Sequence, residues 1–73
     1  MTVHDVLSGS VTAFDAERGW GQVTADDGRV LAFHCTAVAD GSRSIDVGTP
    51  VCFVERPGHL GRMEAAALTR ISP

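Results

Sequence analysis

The sequence feature that most constrains the fold is a pair of alternating segments joined by an Asp-Gly turn. In segments 20–25 and 29–35, apolar residues that would face inward alternate with residues that can face solvent. This period of two is typical of a half-buried strand. Asp27 and Gly28 lie between the two segments, and glycine supplies the positive φ that a tight hairpin turn demands. The pattern therefore predicts an antiparallel hairpin with one buried and one open face.

The two faces of this hairpin have different chemistry. The inward side chains are aliphatic or aromatic and need no function beyond the core: Val23, Leu31 and Phe33. The outward side chains are an indole, an amide, a methyl and an imidazole: Trp20, Gln22, Ala32 and His34. We call these four outward residues the platform. An aromatic surface on a sheet can stack on a nucleobase.

The length and composition of the chain indicate one small domain. Its 73 residues are 44% apolar, enough for a core. Residues 1–7 are predicted to form a short N-terminal extension, and 8–73 a single domain. No apolar run approaches the roughly 18–20 residues of a membrane span, and residues 1–7 lack the features of a secretory signal. We expect a cytoplasmic protein that does not enter a membrane, with Cys35 and Cys52 as free thiols.

Further strands are predicted on both sides of the hairpin, at 8–15, 48–56 and 62–71. Short strands separated by turn signals are typical of a small all-β barrel. Segment 36–39 reads as one helical turn with Thr36 as its cap. The predicted core comprises Val11, Val23, Leu31, Phe33, Val38, Val51, Phe53 and Leu68.

Two motifs resemble those of the bacterial cold-shock protein family. Arg18-Gly19-Trp20-Gly21-Gln22-Val23 is similar to its first motif, Lys-Gly-Phe-Gly-Phe-Ile, and Leu31-Ala32-Phe33-His34-Cys35 to its second, Val-Phe-Val-His-Phe. Ala65-Ala66-Ala67-Leu68-Thr69 stands where the family has Ala-Ala-Asn-Val-Thr, and the likeness runs from Gly9 to Ile71. The resemblance implies a five-stranded antiparallel barrel of the oligonucleotide/oligosaccharide-binding (OB) type. It also implies a strand at 64–68, where propensity alone favours a helix.

The resemblance also implies which aromatic residues contact a ligand. Trp20 stands where the family has a base-stacking phenylalanine, although a tryptophan packed over a strand edge for stability would look the same in sequence. His34 matches the histidine of the second motif, which can stack and donate a hydrogen bond; the alternative is an exposed histidine without a role. Phe14 aligns with an aromatic at the side of the platform, or else packs in the core.

Three polar residues complete the candidate nucleic-acid site. Arg18 replaces the lysine of the first motif and can pair with a phosphate, although an arginine in a solvated turn without a ligand would look the same in sequence. Gln22 can hydrogen-bond a base edge, and Arg29 is a further candidate for the nucleic-acid backbone. The chain as a whole is acidic, with 9 acidic residues against 6 arginines and a net charge of -3. Asp15, Glu17, Asp26 and Asp27 are expected to oppose Arg18 and Arg29.

The ligand face departs from the family pattern while the core pattern is kept. Small or polar residues replace aromatic ones at five positions: Ala13, Gln22, Ala32, Cys35 and Ser42. At about 1 kcal/mol for each lost stacking contact, the total is on the order of 5 kcal/mol, or three to four decades of affinity, although such contributions are not strictly additive. Any retained binding is therefore expected to be weak and to depend little on base sequence.

Two functions follow from these observations. The first is weak binding of single-stranded RNA or DNA, with roles as an RNA chaperone or a regulator of transcription or translation implied by the resemblance alone. The second is an OB-type barrel that has lost its ligand and acts as a protein-interaction or regulatory module, including a homodimer. No catalytic constellation, metal site or cofactor is predicted, because no carboxylate pair, nucleophile with a base, phosphate loop or metal-ligand cluster has usable spacing. An RNA-recognition motif would also need two amphipathic helices, for which the chain has no room.

Overall fold

The computed structural model describes residues 6–58 and 61–71 and consists of five strands and one short 3-10 turn. The strands are β1 (Val6–Asp15), β2 (Trp20–Ala25), β3 (Val30–His34), β4 (Pro50–Pro57) and β5 (Met63–Arg70), with the 3-10 turn Cys35–Ala37 after β3. The first strand begins earlier than the sequence suggested. Val6 and Leu7, assigned to the N-terminal extension, pair with Val54 and Phe53 of β4; the rest of that extension lies outside the described residues.

The strands close into a barrel in the order β1-β2-β3-β5-β4, which confirms the predicted all-β, five-stranded OB-type architecture. Neighbouring strands are antiparallel at four of the five contacts that the structure describes. The exception is β3 with β5, which run parallel and are joined in register at Ala32↔Glu64. These two strands are far apart in the sequence. Their contact joins the free edge of β3 to the free edge of β5 and so closes the barrel.

All eight residues predicted for the core are buried. Their relative exposures lie between 0% and 4%, and Phe33, Phe53 and Leu68 are the largest of the fully buried side chains. The core also includes three residues that the sequence analysis missed: Ala25, Ile45 and Ala65. This is the burial that a small domain needs, since apolar area removed from water is its main source of stability.

Ile45 shows how the loop between β3 and β4 is attached to the barrel. It is 4% exposed, although it lies in a segment of polar and glycine residues. The Arg70 guanidinium at the end of β5 donates hydrogen bonds to the Asp40 carboxylate and to the Ser44 carbonyl oxygen. Ile45 and Arg70 therefore both hold the loop against the barrel.

The last strand contains a β-bulge, and the bulge requires a left-handed backbone at Ala67. Cys52 pairs with Thr69 and Val54 with Ala66, so that two residues of β5 face one residue of β4. Ala67 has φ of 54°, a conformation that costs a residue with a Cβ roughly 1–2 kcal/mol. Segment 64–68 is nevertheless strand, as the resemblance implied, because pairing with β4 outweighs the helical propensity of its alanines.

Candidate nucleic-acid interface

The platform lies on the open face of β2 and β3, as the alternation predicts. In the register of the two strands, Trp20 pairs with His34 and Gln22 with Ala32. The three side chains beneath them, Val23, Leu31 and Phe33, are buried. Trp20 is 39% exposed and Gln22 and Ala32 are exposed, whereas His34 is half-buried.

Trp20 and His34 form an edge-to-face aromatic pair. Their ring centroids are 5.0 Å apart and the ring planes meet at 89°. Aromatic pairs favour this arrangement because the positive edge of one ring meets the negative face of the other. The contact orients the indole but leaves more than a third of the side chain exposed, so that stacking surface remains for a base.

A hydrogen bond to the neighbouring turn fixes His34. The backbone N–H of Thr36 donates to His34 Nδ1 at 3.3 Å, and the Thr36 hydroxyl oxygen lies 2.9 Å from the same nitrogen. His34 is thus the cap of the 3-10 turn, and the prediction that Thr36 caps it was wrong. Because Nδ1 accepts a hydrogen bond from the Thr36 N–H, Nδ1 carries no proton, and the proton of the neutral ring is on Nε2. That N–H has no partner within residues 6–58 and 61–71 and is available as a donor.

The first motif needs glycine at positions 19 and 21 for two different structural reasons. Gly19 has φ of 71°, which turns the chain into β2. At Gly21 a Cβ would lie 2.6 Å from both the Ala13 carbonyl oxygen and Phe33 Cζ. Only a glycine there lets β2 approach the core ring closely, and that approach positions Trp20.

Phe14 packs against the core, which is one of the two roles that the sequence left open. Its ring is half-buried and stacks on Phe33 with a centroid separation of 6.0 Å and an interplanar angle of 11°. It also lines a shallow depression of about 450 Å³ together with Trp20 and Gln22. The ring is therefore an extension of the core that borders the platform.

Gln22 has unusually small neighbours on both sides. Its partners across the strands are Ala13 on β1 and Ala32 on β3. The Gln22 amide makes no hydrogen bond with any residue that the structure describes. The side-chain amide of Gln22 therefore lies in a depression beside the Trp20 indole, where its NH2 group can donate a hydrogen bond and its oxygen can accept one.

Arg18 is the more accessible of the two predicted cations. Its side chain is 83% exposed, and its Nε lies 3.8 Å from Asp15 Oδ2. The Asp15 carboxylate also accepts hydrogen bonds from the backbone N–H groups of Glu17 and Arg18, at 3.0 and 3.2 Å. Asp15 is thus used to build the turn before β2, and the exposed guanidinium can exchange its long contact with Asp15 for a phosphate.

Arg29 is bound by carboxylates. Its Nε donates to Asp27 at 2.9 Å, and Nη1 donates to both oxygens of Glu55 at 3.0 and 3.2 Å. These hydrogen bonds, first that to Asp27 and then that to Glu55, raise the pKa of Arg29. The backbone N–H of Arg29 is the main reason that the pKa of Asp27 is lowered. A phosphate would have to displace two carboxylates here, so Arg29 remains a weaker candidate than Arg18.

A larger concave surface adjoins the platform, and the sequence analysis missed most of it. We call it the β3–β5 groove; it has a volume of about 820 Å³ and extends from Trp20 past Val30 to Arg62 and Met63. Val30 and Met63 are 59% and 44% exposed. No local pattern indicated this groove, because its walls meet through the parallel contact of two distant strands.

The described residues show no metal centre and no disulfide. Within residues 6–58 and 61–71 no group of three or more histidine, cysteine, aspartate or glutamate side chains is placed to hold a metal ion. Cys35 and Cys52 are unbridged and half-buried. In these two ranges the chain forms no helix that is long and apolar enough to cross a bilayer.

A closed five-stranded barrel that presents an indole and an imidazole side by side on one sheet is an OB-type barrel with an aromatic face. Residues 7–71 match the family described as the 'Cold-shock' DNA-binding domain. The chain therefore belongs to the cold-shock domain family, whose members bind single-stranded nucleic acid and are not enzymes.

Individual relatives agree with this assignment. The chain is 34% identical over 55 residues to cold shock protein 2 of Lactiplantibacillus plantarum, covering 74% of this chain and 83% of that protein. It is 38% identical over 64 residues to cold shock protein 1 of Arabidopsis thaliana, covering 85% of this chain but 21% of the plant protein. The solved structure of Drosophila Unr CSD456 superimposes with a TM-score of 0.79 at 25% identity, covering 96% of this chain and 28% of that one.

Proposed function

We propose that this protein binds single-stranded RNA or DNA weakly, with little dependence on base sequence, by stacking unpaired bases on the platform. The observation that carries the proposal is the exposed Trp20 indole, held edge to face by His34 over a complete core. A base stacked on one aromatic side chain gains roughly 1–3 kcal/mol whatever its identity. A cytoplasmic location and a role as an RNA chaperone or regulator form part of this proposal.

Weak binding is supported by the polar surroundings of the platform. Gln22 and Ala32 lie where two aromatic rings would extend the stacking surface. Arg29 is engaged by two carboxylates and Arg18 stands near a third. Because few cations are free to neutralise phosphates, the dependence of binding on salt should be shallow.

Trp20 is the sole tryptophan of the chain and serves as the reporter in the decisive experiment. Its fluorescence is followed while oligo-dT or oligo-U is added at low and at moderate salt. We expect quenching that saturates in the micromolar range, and little change with a duplex of equal length, whose bases are already stacked. A flat trace at high oligonucleotide concentration would contradict the proposal.

A second candidate is a barrel that contacts proteins, including a second copy of itself, and no longer binds nucleic acid. The observation in its favour is the exposed apolar surface of Val30 and Met63 beside the small Ala32. Size-exclusion chromatography with light scattering distinguishes the two candidates. A dimer that does not respond to oligonucleotide supports the second, and a monomer with saturable quenching supports the first.

A further inference from the structure

The outer surface of the sheet formed by β1, β4 and β5 is uncharged over three consecutive rows of side chains. Alternate residues of these strands belong to the core or pack against it, so the residues between them face outward. Strand pairing, and the hydrogen bond from the last of these residues to β4, arrange the outward residues in rows: Val6, Val54 and Ala66; Ser8, Cys52 and Thr69; Ser10, Pro50 and Ile71. We call these nine residues the β1–β4–β5 face.

Charged side chains border this face. The next row along the strands pairs Arg56 with Glu64, and Asp26, beyond β1, accepts a hydrogen bond from the Ser8 hydroxyl at 2.7 Å. An apolar centre with a polar rim is the usual arrangement of a protein–protein interface. The face shares no residue with the platform or with the β3–β5 groove, so a contact confined to it leaves the platform exposed.

The apolar side chains of the face limit the kind of partner that it can bind. Val6 and Ile71 are 59% and 41% exposed, and between them lie the half-buried Cys52 and Val54. A partner that covers these side chains removes apolar area from water. A partner that brings charges would lose their hydration and find no opposite charge among the nine residues. The surface that fits is therefore itself uncharged.

A second copy of this chain has such a surface. The net charge of -3 makes two copies repel each other, and contact between two β1–β4–β5 faces brings none of that charge into the centre of the interface. A twofold axis along β4 would place Cys52 and Val54 opposite their own counterparts, and Val6 opposite the small Ala66 of the partner. Sheets stacked face to face keep their strands within about 30° of each other, which agrees with an axis in that direction.

We propose that this protein forms a weak homodimer through the β1–β4–β5 face, with the platforms of both copies left open. Strand spacing and the rise per residue give the face an area of roughly 300 Å². A standard stable interface buries about 800 Å² on each partner, so this contact belongs to the weak, transient class. Two platforms in one dimer would let a single oligonucleotide bind both copies more tightly than either alone.

Sedimentation velocity over a concentration series up to about 1 mM tests the proposal. The unmodified protein should shift from one chain toward two as the concentration rises. The shift should be larger at moderate salt, which screens the repulsion between acidic copies. Val54→Arg should lose the shift, because two guanidinium groups would meet across the axis. Val47→Arg should keep it and is the matched control, because Val47 is 63% exposed and lies outside the face.

Chemical crosslinking gives a second measurement that needs no change at Val54. A short bismaleimide joins two thiols by adding one to each of its double bonds, so the reaction requires no oxidant. Cys52 lies opposite its counterpart in the proposed dimer, and Cys35 lies outside the face. A crosslinked dimer should therefore form in the unmodified protein and in Cys35→Ser, and should be lost in Cys52→Ser.

The outcomes decide between this face and any other. A concentration-dependent dimer that Val54→Arg abolishes, that Val47→Arg retains and that crosslinks through Cys52 supports the proposal. A protein that remains one chain at about 1 mM refutes it, as does a dimer that survives Val54→Arg or crosslinks through Cys35. The inference does not depend on the proposed function, because quenching of Trp20 by oligo-dT is measured in dilute solution, where the dimer has dissociated.

Discussion

The Trp20 indole and the His34 imidazole meet edge to face across β2 and β3, with 5.0 Å between their ring centroids. His34 is in turn held by the Thr36 backbone N–H. The indole therefore reaches its position through a chain of local contacts that exist without any ligand. Preorganisation of this kind lowers the entropy lost on binding.

Replacing Trp20 with alanine should weaken binding of fluorescein-labelled oligo-dT by roughly 5- to 150-fold, because one base loses its stacking partner. Trp20→Phe should retain part of the affinity, since a smaller ring still stacks. Anisotropy gives both dissociation constants. Equal affinity of Trp20→Ala and the unmodified protein would show that the indole does not contact the ligand.

Restoring an aromatic ring at Gln22 should strengthen binding. Gln22 is exposed between the small side chains of Ala13 and Ala32, so that a phenylalanine ring has room there. We expect Gln22→Phe to raise the affinity for oligo-dT by roughly fivefold or more, as one added stacking contact predicts. Gln22→Leu adds apolar area without a ring and serves as the control; an equal gain for both variants would argue against stacking.

Ala67 offers a test of backbone strain that is independent of ligand. Because its φ is 54°, Ala67→Gly should remove a steric cost of roughly 1–2 kcal/mol and add an entropic cost of roughly 0.5–1 kcal/mol. We expect the free energy of unfolding, measured in urea, to rise by about 0.5–1 kcal/mol. The same change at the neighbouring Ala66, whose backbone is not left-handed, should lower it by about as much. Destabilisation by both substitutions would contradict the strain at Ala67.

The hydrogen bonds that the Asp27 carboxylate accepts from Arg29, first from its backbone N–H and then from its side chain, should make the stability depend on pH in the acid range. The pKa of Asp27 is lowered from the ordinary 3.8 in the folded state, so its contribution is fully present above pH 3.8 and is lost as the pH falls through the lower, folded value. Asp27→Asn should therefore be less stable than the unmodified protein at neutral pH, and the difference should shrink as the pH falls below about 4. Urea unfolding of both proteins at a series of pH values measures the difference between their free energies of unfolding. A difference that does not change with pH would mean that the charge of Asp27 contributes nothing.

Local patterns were sufficient to predict the hairpin and most of the core. The two-residue period of β2 and β3 fixed which side chains face inward, because strand pleating leaves no other arrangement once the core face is known. Val23, Leu31 and Phe33 are buried accordingly. Ile45 was missed because it and Val47 both lie in a polar loop, and which of the two is buried depends on how that loop folds back.

Long-range contacts decided the rest of the site. Asp27 was expected to oppose Arg29, but the second carboxylate on this arginine, Glu55, is 26 positions away in the sequence and was not anticipated. The groove beside Arg62 exists because β3 and β5 meet in parallel, which no local motif indicates. The cap of the 3-10 turn was assigned to Thr36 from residue preference, but the last residue of β3, His34, was already near enough to accept the Thr36 N–H.

The parallel contact between β3 and β5 has a consequence for ligand binding. These strands are joined in register at the single pair Ala32↔Glu64, whereas β2 and β3 share a ladder of five pairs, from Trp20↔His34 to Thr24↔Val30. Because so few pairs join them, we expect these strands to separate first when the barrel opens locally, and the amide hydrogens along that edge to exchange earliest. A base stacked on the platform would cover Ala32, the β3 residue of that pair, so occupancy should slow amide exchange at this junction first.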